Sequence, residues 1–102
     1  MEQGRNQEAE PFLRRALLMQ ERILGREAPE TLLSVNNLAL VLANLERFSE
    51  AEPLLRRALE ASERTLGKEH PDTLGAVNNL GQILEEQRRY DAGVELRARA
   101  TA

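Results

Sequence analysis

No cysteine occurs among the 102 residues of this chain. Disulfides, thiolate nucleophiles and cysteine-ligated metal centres are therefore excluded. Aromatic residues are nearly absent, with Phe12, Phe48 and Tyr90 making up the whole set. Leucine and alanine must build the core, a composition that suits closely packed helices and disfavours a β-sandwich. No apolar run approaches the roughly 18 residues needed to span a bilayer. The polar opening MEQGRNQEAE lacks the apolar core of a signal peptide. There is also no concentrated basic face. The net charge is -3, with both signs spread along the chain, which argues against a nucleic-acid surface. These absences lead to the expectation of a single cytoplasmic domain over residues 1–102, with no membrane and no nucleic-acid partner.

Chemistry is equally sparse. His70 is the only histidine and stands just before Pro71, so a cap or turn role is expected rather than catalysis or zinc binding. The carboxylates are many, but no pattern forces a pair of them into an apolar pocket. The glycines do not form a phosphate-binding loop. No catalytic residue, metal, cofactor or small-molecule substrate is predicted, and the chain is not expected to be an enzyme.

What the chain does have is repetition. Residues 8–49 laid over 50–91, an offset of 42, match without a gap at 23 of 42 positions. EAEPFLRRAL aligns with EAEPLLRRAL, ERILGREAPETL with ERTLGKEHPDTL, and SVNNLALVL with AVNNLGQIL. A period in this range marks a solenoid, in which each unit buries its apolar face against its neighbour. Each unit reads as two helices. In the first, Leu32, Val35, Leu38, Ala39, Leu42 and Leu45 follow three-and-four spacing, and Pro29 or Pro71 opens the helix, where a missing N–H does no harm. In the second, Ser49 and Glu52 have the spacing of a capping box, Pro53 is placed in the first turn, and Ala51, Leu54, Leu55, Ala58, Leu59 and Leu66 form the stripe. Gly25 and Gly67 end the second-type helices. About five helices are predicted, at 7–24, 30–44, 50–66, 72–87 and 91–101. The helix at 7–24 leads unpaired, 30–66 forms one hairpin, and 72–101 forms a second with a polar C-terminal cap.

This pattern resembles the tetratricopeptide repeat, in its longer form of about 42 residues found in kinesin light chains and many bacterial proteins. Val35, Leu38, Ala39 and Leu42 match the family's large, large, small, large positions, and Val77, Leu80, Gly81 and Leu84 repeat them. Phe48 and Tyr90 take the aromatic place at the bend. Ala51, Leu55 and Ala58, with Ala9, Leu13 and Ala16, take the small, large, small positions of the second helix. LGKEHPDTL and NNLG are especially similar to the kinesin light chain variety. The resemblance implies an all-α fold of antiparallel helical hairpins stacked as a right-handed solenoid, and a scaffold that binds a protein or peptide in its concave groove. By position the groove would be lined by Leu33, Asn36, Asn37, Leu40 and Asn44 from one unit, and by Gly75, Asn78, Asn79, Gln82 and Glu86 from the next. An asparagine offers both donor and acceptor, so it can clamp a peptide backbone without reading its sequence. The competing reading is that one Asn of each pair bonds a neighbouring helix.

The ends depart from the pattern. Gly93 and Arg97 stand where the preceding unit has Ala51 and Leu55, which suggests that the array stops there. The leading helix carries Phe12, Leu17, Leu18, Met19 and Ile23, with Leu18 and Met19 replacing Glu60 and Ala61. Either the chain is a fragment of a longer array, or this face joins chains into a homo-oligomer. A regulatory segment of a larger signalling protein is a third reading. The Arg14-Arg15 and Arg56-Arg57 pairs recur at the repeat period. Glu10 and Glu52, four residues ahead, assign them to helix-surface ion pairs, as do Glu85 with Arg89 and Glu95 with Arg99. The other reading is an acidic ligand.

Overall fold

The computed structural model describes residues 2–101, and the side chains of all of these except 2, 3, 96, 97 and 99–101. Four helices follow in order: α1 Glu2–Leu24, α2 Pro29–Asn44, α3 Phe48–Leu66 and α4 Pro71–Thr101. Each packs against the next along the chain, and the molecule measures 51 × 31 × 19 Å. An elongated body built of consecutive packed helices is the all-α solenoid that the repeat implies.

The buried residues are the ones the repeat pattern selects. Val35, Leu38, Ala39 and Leu42 on α2 are 1 % exposed or less, as are Ala51, Leu55 and Ala58 on α3. Alanine at 39, 51 and 58 lets helix axes approach, while Leu38, Leu42 and Leu55 fill the remaining space. Leu17 from α1, and Leu80 and Ile83 from α4, complete one continuous core.

The bend between α2 and α3 closes by backbone bonds. The Glu46 N–H donates to the Ala43 carbonyl at 2.9 Å, and the Arg47 N–H to the Leu42 carbonyl at 2.8 Å. With Glu46 at φ 64°, this is a Schellman ending with a non-glycine residue in the left-handed region. The turn delivers the chain straight into α3 at Phe48. Ser49 therefore lies inside the first turn rather than ahead of it, and the anticipated Ser49–Glu52 capping box does not form; no side-chain cap bond is made at the start of α3. For the same reason Pro53 falls in the second turn. It removes one helical donor on an exposed stretch, where water serves the freed carbonyl. Gly25 and Gly67, at φ 97° and 90°, end α1 and α3 as the sequence predicts.

The helices predicted at 72–87 and 91–101 form one continuous α4. A return helix would have to bury a stripe against α4, and Gly93 stands in that stripe where α3 has Ala51. Breaking the helix would gain too little burial to offset a second bend. Tyr90 still meets Phe48, with ring centroids 5.6 Å apart and planes tilted by 60°. The side chains of Arg97 and Arg99 lie outside the described residues, so the polar cap at Arg97 and the Glu95–Arg99 pair do too. Uncovered, α4 exposes Val77 and Gly81, the counterparts of buried Val35 and Ala39. Gly81 is thus not a close-packing site; a Cβ added there would meet nothing within 4 Å.

Candidate protein-binding groove

The first turns of α2 and α4 lie side by side over the end of α3, because Pro29 and Pro71 start two helices of the same kind 42 residues apart. Between them runs a groove of about 450 Å³, lined by residues that include Leu33, Asn36, Gly75 and Asn79. Pro29, Glu30, Pro71 and Asp72 form its mouth, and Ser62 and Leu66 of α3 contribute its floor. The repeat phasing alone could have found the two prolines. Ser62 and Leu66 required knowing where α3 ends relative to its neighbours.

Of the ten sequence candidates, the structure gathers these four. Leu33 is 60 % exposed, Asn36 and Asn79 are half-buried, and Gly75 leaves the wall low. Asn36 Oδ1 is buried without a hydrogen-bond partner. Asn37, Leu40, Asn44, Asn78, Gln82 and Glu86 do not line this groove. Asn44 follows Asn36 by eight residues, about 12 Å along the helix axis. Asn37 and Asn78 project from the exposed helix surfaces, and Gln82 Nε2 donates to Glu86 Oε1 at 3.3 Å. Each NN pair is therefore split. α2 contributes the first asparagine of its pair and α4 the second, since the two helices show each other opposite flanks.

At the leading end, Phe12, Leu18, Met19 and Ile23 are between 56 % and 72 % exposed. Leu17, grouped with them by sequence, is 6 % exposed and belongs to the core; one residue of rotation on a helix carries it onto the α2-facing side. Ala16, Met19, Gln20, Ile23 and Leu24 border a shallow cleft of about 320 Å³.

The charged residues knit neighbouring helices together. Arg14 reaches Glu10 at 2.8 Å and Glu50 at 3.3 Å. Arg47 binds Glu50 at 2.6 Å and also pairs with Glu10. Arg57 reaches back to Glu21 at 2.5 Å, and Arg64 to Glu27. Hydrogen bonding from Arg14, aided by Arg47, holds the Glu10 carboxyl below the ordinary glutamate range against an opposing desolvation. Arg47 does the same for Glu50 and is itself held more firmly protonated. Arg56–Glu52 at 3.0 Å and Arg89–Glu85 at 2.7 Å are the surface pairs the sequence assigns. His70 Nδ1 accepts the Asp72 N–H at 3.1 Å, the turn role predicted for it. No helix among the described residues is long and apolar enough to cross a membrane.

The tetratricopeptide repeat family model matches residues 1–30 and 31–72. No curated protein matches the chain. Repeats of this family generally mediate protein–protein interactions and form a non-enzymatic scaffold fold. With the matched segments covering 72 of 102 residues and consecutive helices packed as the repeat requires, the chain belongs to the tetratricopeptide repeat family, in its kinesin light chain-like form.

Proposed function

We propose that the chain is a cytoplasmic, non-catalytic scaffold that holds a peptide segment of another protein in the groove between α2 and α4. The observation that carries this reading is the pairing of an exposed Leu33 with Asn36 and Asn79 along one groove, where Asn36 Oδ1 has no partner. An unsatisfied buried acceptor costs about 1–3 kcal/mol. Turning the half-buried Asn36 side chain outward on binding would bring this acceptor to a peptide N–H and remove that cost, while Leu33 packs an apolar side chain of the ligand. The amide groups would grip backbone, so recognition would depend on shape more than on sequence.

The test is selection of binding peptides from a displayed random library, followed by titration against variants. Asn36→Ala with Asn79→Ala should weaken a selected peptide by roughly tenfold or more, as loss of two hydrogen bonds implies. Leu18→Glu, outside the groove, should leave affinity unchanged. Peptides that bind the double variant as tightly as the parent chain would refute groove binding.

A further inference from the structure

Among the described residues, α1 and α4 each leave open a face that the helix of the same kind buries. α2 and α3 each pack closely against a helix on either side, whereas the close packing of α4 is with α3 and that of α1 is with α2. Residues buried on α2 whose counterparts on α4 are exposed therefore mark the face that α3 covers. These are Leu32, Val35, Ala39 and Ala43, all 6 % exposed or less, against Leu74 at 51 %, Val77 at 46 %, an exposed Gly81 and an exposed Glu85, the last a charge at the far edge of the face. The same comparison of α3 with α1 sets Ala58 and Ala61, both buried, against half-buried Ala16 and exposed Met19. α4 thus lacks a partner of the α3 kind, and α1 is a helix of the α3 kind lacking a partner like α2. Residues 91–101 continue α4 straight on and leave its face open.

We propose that α1 of a second copy docks on α4 in the register in which α3 lies on α2, joining chains head to tail. Charge supports this pairing. Three ion pairs that tie α3 to the leading end can be transposed by the repeat offset to the new contact. Arg14–Glu50 becomes Arg56 with Glu8 of the second copy. Glu21–Arg57 becomes Glu63 with Arg15 of the second copy. Glu27–Arg64 becomes Glu69 with Arg22 of the second copy. All three transposed pairs are of opposite sign. Glu8, Arg15, Arg22, Glu63 and Glu69 have no ionic partner of their own among the described residues. Volume points the same way. α1 adds bulk, with Phe12 and Met19 where α3 has Leu54 and Ala61, while at the middle of its face α4 removes it, with Gly81 where α2 has Ala39, and adds it only at the far edge, with Glu85 for Ala43. Facing halves of a packed interface need changes of opposite sign. Leu18 and Ile23 match Glu60 and Thr65, which stay exposed on α3, and lie at the rim. The contact is heterologous and does not close on itself, so copies add in an open series.

Sedimentation velocity on the whole chain, at concentrations up to about 1 mM, tests this. The parent chain should show a mass that rises with concentration beyond a dimer. Met19→Asp and Val77→Asp alter opposite faces at exposed positions, and each alone should be monomeric with an unchanged circular dichroism spectrum. Mixed in equal amounts they should form a two-chain species, since each retains the face the other has lost. Glu63→Arg should weaken assembly and Arg15→Glu in the same chain should restore it. A parent chain monomeric throughout would overturn the proposal. So would a dimer that survives Val77→Asp, which would signal a symmetric α1–α1 contact instead.

Discussion

Leucine placed at residue 39 and at residue 81 should have effects of opposite sign, although the two sites are the same position of the repeat. Ala39 is fully buried. Its Cβ lies in a core packed from both sides, so three further carbons must displace neighbours, at a cost of about 1–3 kcal/mol. Gly81 is exposed on α4, and no neighbouring heavy atom lies within 4 Å of the point a Cβ would occupy. Leucine there meets no clash and replaces a glycine, which is poorly suited to a helix interior, a gain of roughly 0.5–0.8 kcal/mol. For a chain of this size each kcal/mol moves Tm by about 4–8 °C. Thermal unfolding followed by helical circular dichroism, at protein concentrations low enough to keep chains apart, should show Ala39→Leu melting well below the parent and Gly81→Leu slightly above it. If Gly81→Leu were destabilised as much as Ala39→Leu, residue 81 would be covered in solution. The account of α4 as one uninterrupted helix with an open face would then be wrong.

A second pair of twins tests hydrogen bonding. Thr31 Oγ1 donates to the Gly25 carbonyl at 2.8 Å, whereas Thr73 Oγ1 is buried without a partner. Thr31→Val should cost about 1 kcal/mol or more in urea denaturation, while Thr73→Val should be neutral or stabilising. Leu42→Ala, at a fully buried site, should cost about 2–5 kcal/mol, against under about 0.5 kcal/mol for Leu33→Ala in the open groove. The lowered carboxyls of Glu10 and Glu50 fix the sign of the acid response. Both bind protons less readily when folded, so their contribution is fully present above the ordinary glutamate range and is lost as pH falls through and below it. Tm measured across that interval should fall less steeply for Glu10→Gln than for the parent chain.

The ion pairs have a consequence for how the solenoid is held in register. Glu10, Arg14, Arg47 and Glu50 connect α1 with the α2–α3 bend and the start of α3, across the intervening α2 in the chain. Exposed pairs of this kind contribute little one at a time. Their arrangement matters because opposite charges recur at the repeat period, which penalises a slipped or reversed stacking of helices whose apolar stripes are nearly interchangeable. Four-residue spacing pairs Arg14 and Arg56 with Glu10 and Glu52 on their own helices. The longer links from Arg47 to Glu10 and from Arg57 to Glu21 are invisible to it, because spacing within a helix says nothing about which neighbour comes within reach.

The repeat offset by itself determined the all-α solenoid, the alanine and leucine positions of the core, the glycine helix ends and the two prolines that bring α2 and α4 together. These follow from local periodicity and from the identity of corresponding residues, both of which are written in the chain. Tertiary structure alone decided the rest. It assigned one asparagine of each pair to the groove and turned the other away, because adjacent helices face each other with opposite flanks. It moved Leu17 into the core while leaving Leu18 and Met19 outside. It kept α4 continuous past Tyr90, since the stripe beyond the bend is too poor in apolar side chains to draw the helix back. Burial depends on what lies on either side of a helix, and the valines at 35 and 77, identical by sequence, become core in one case and open surface in the other.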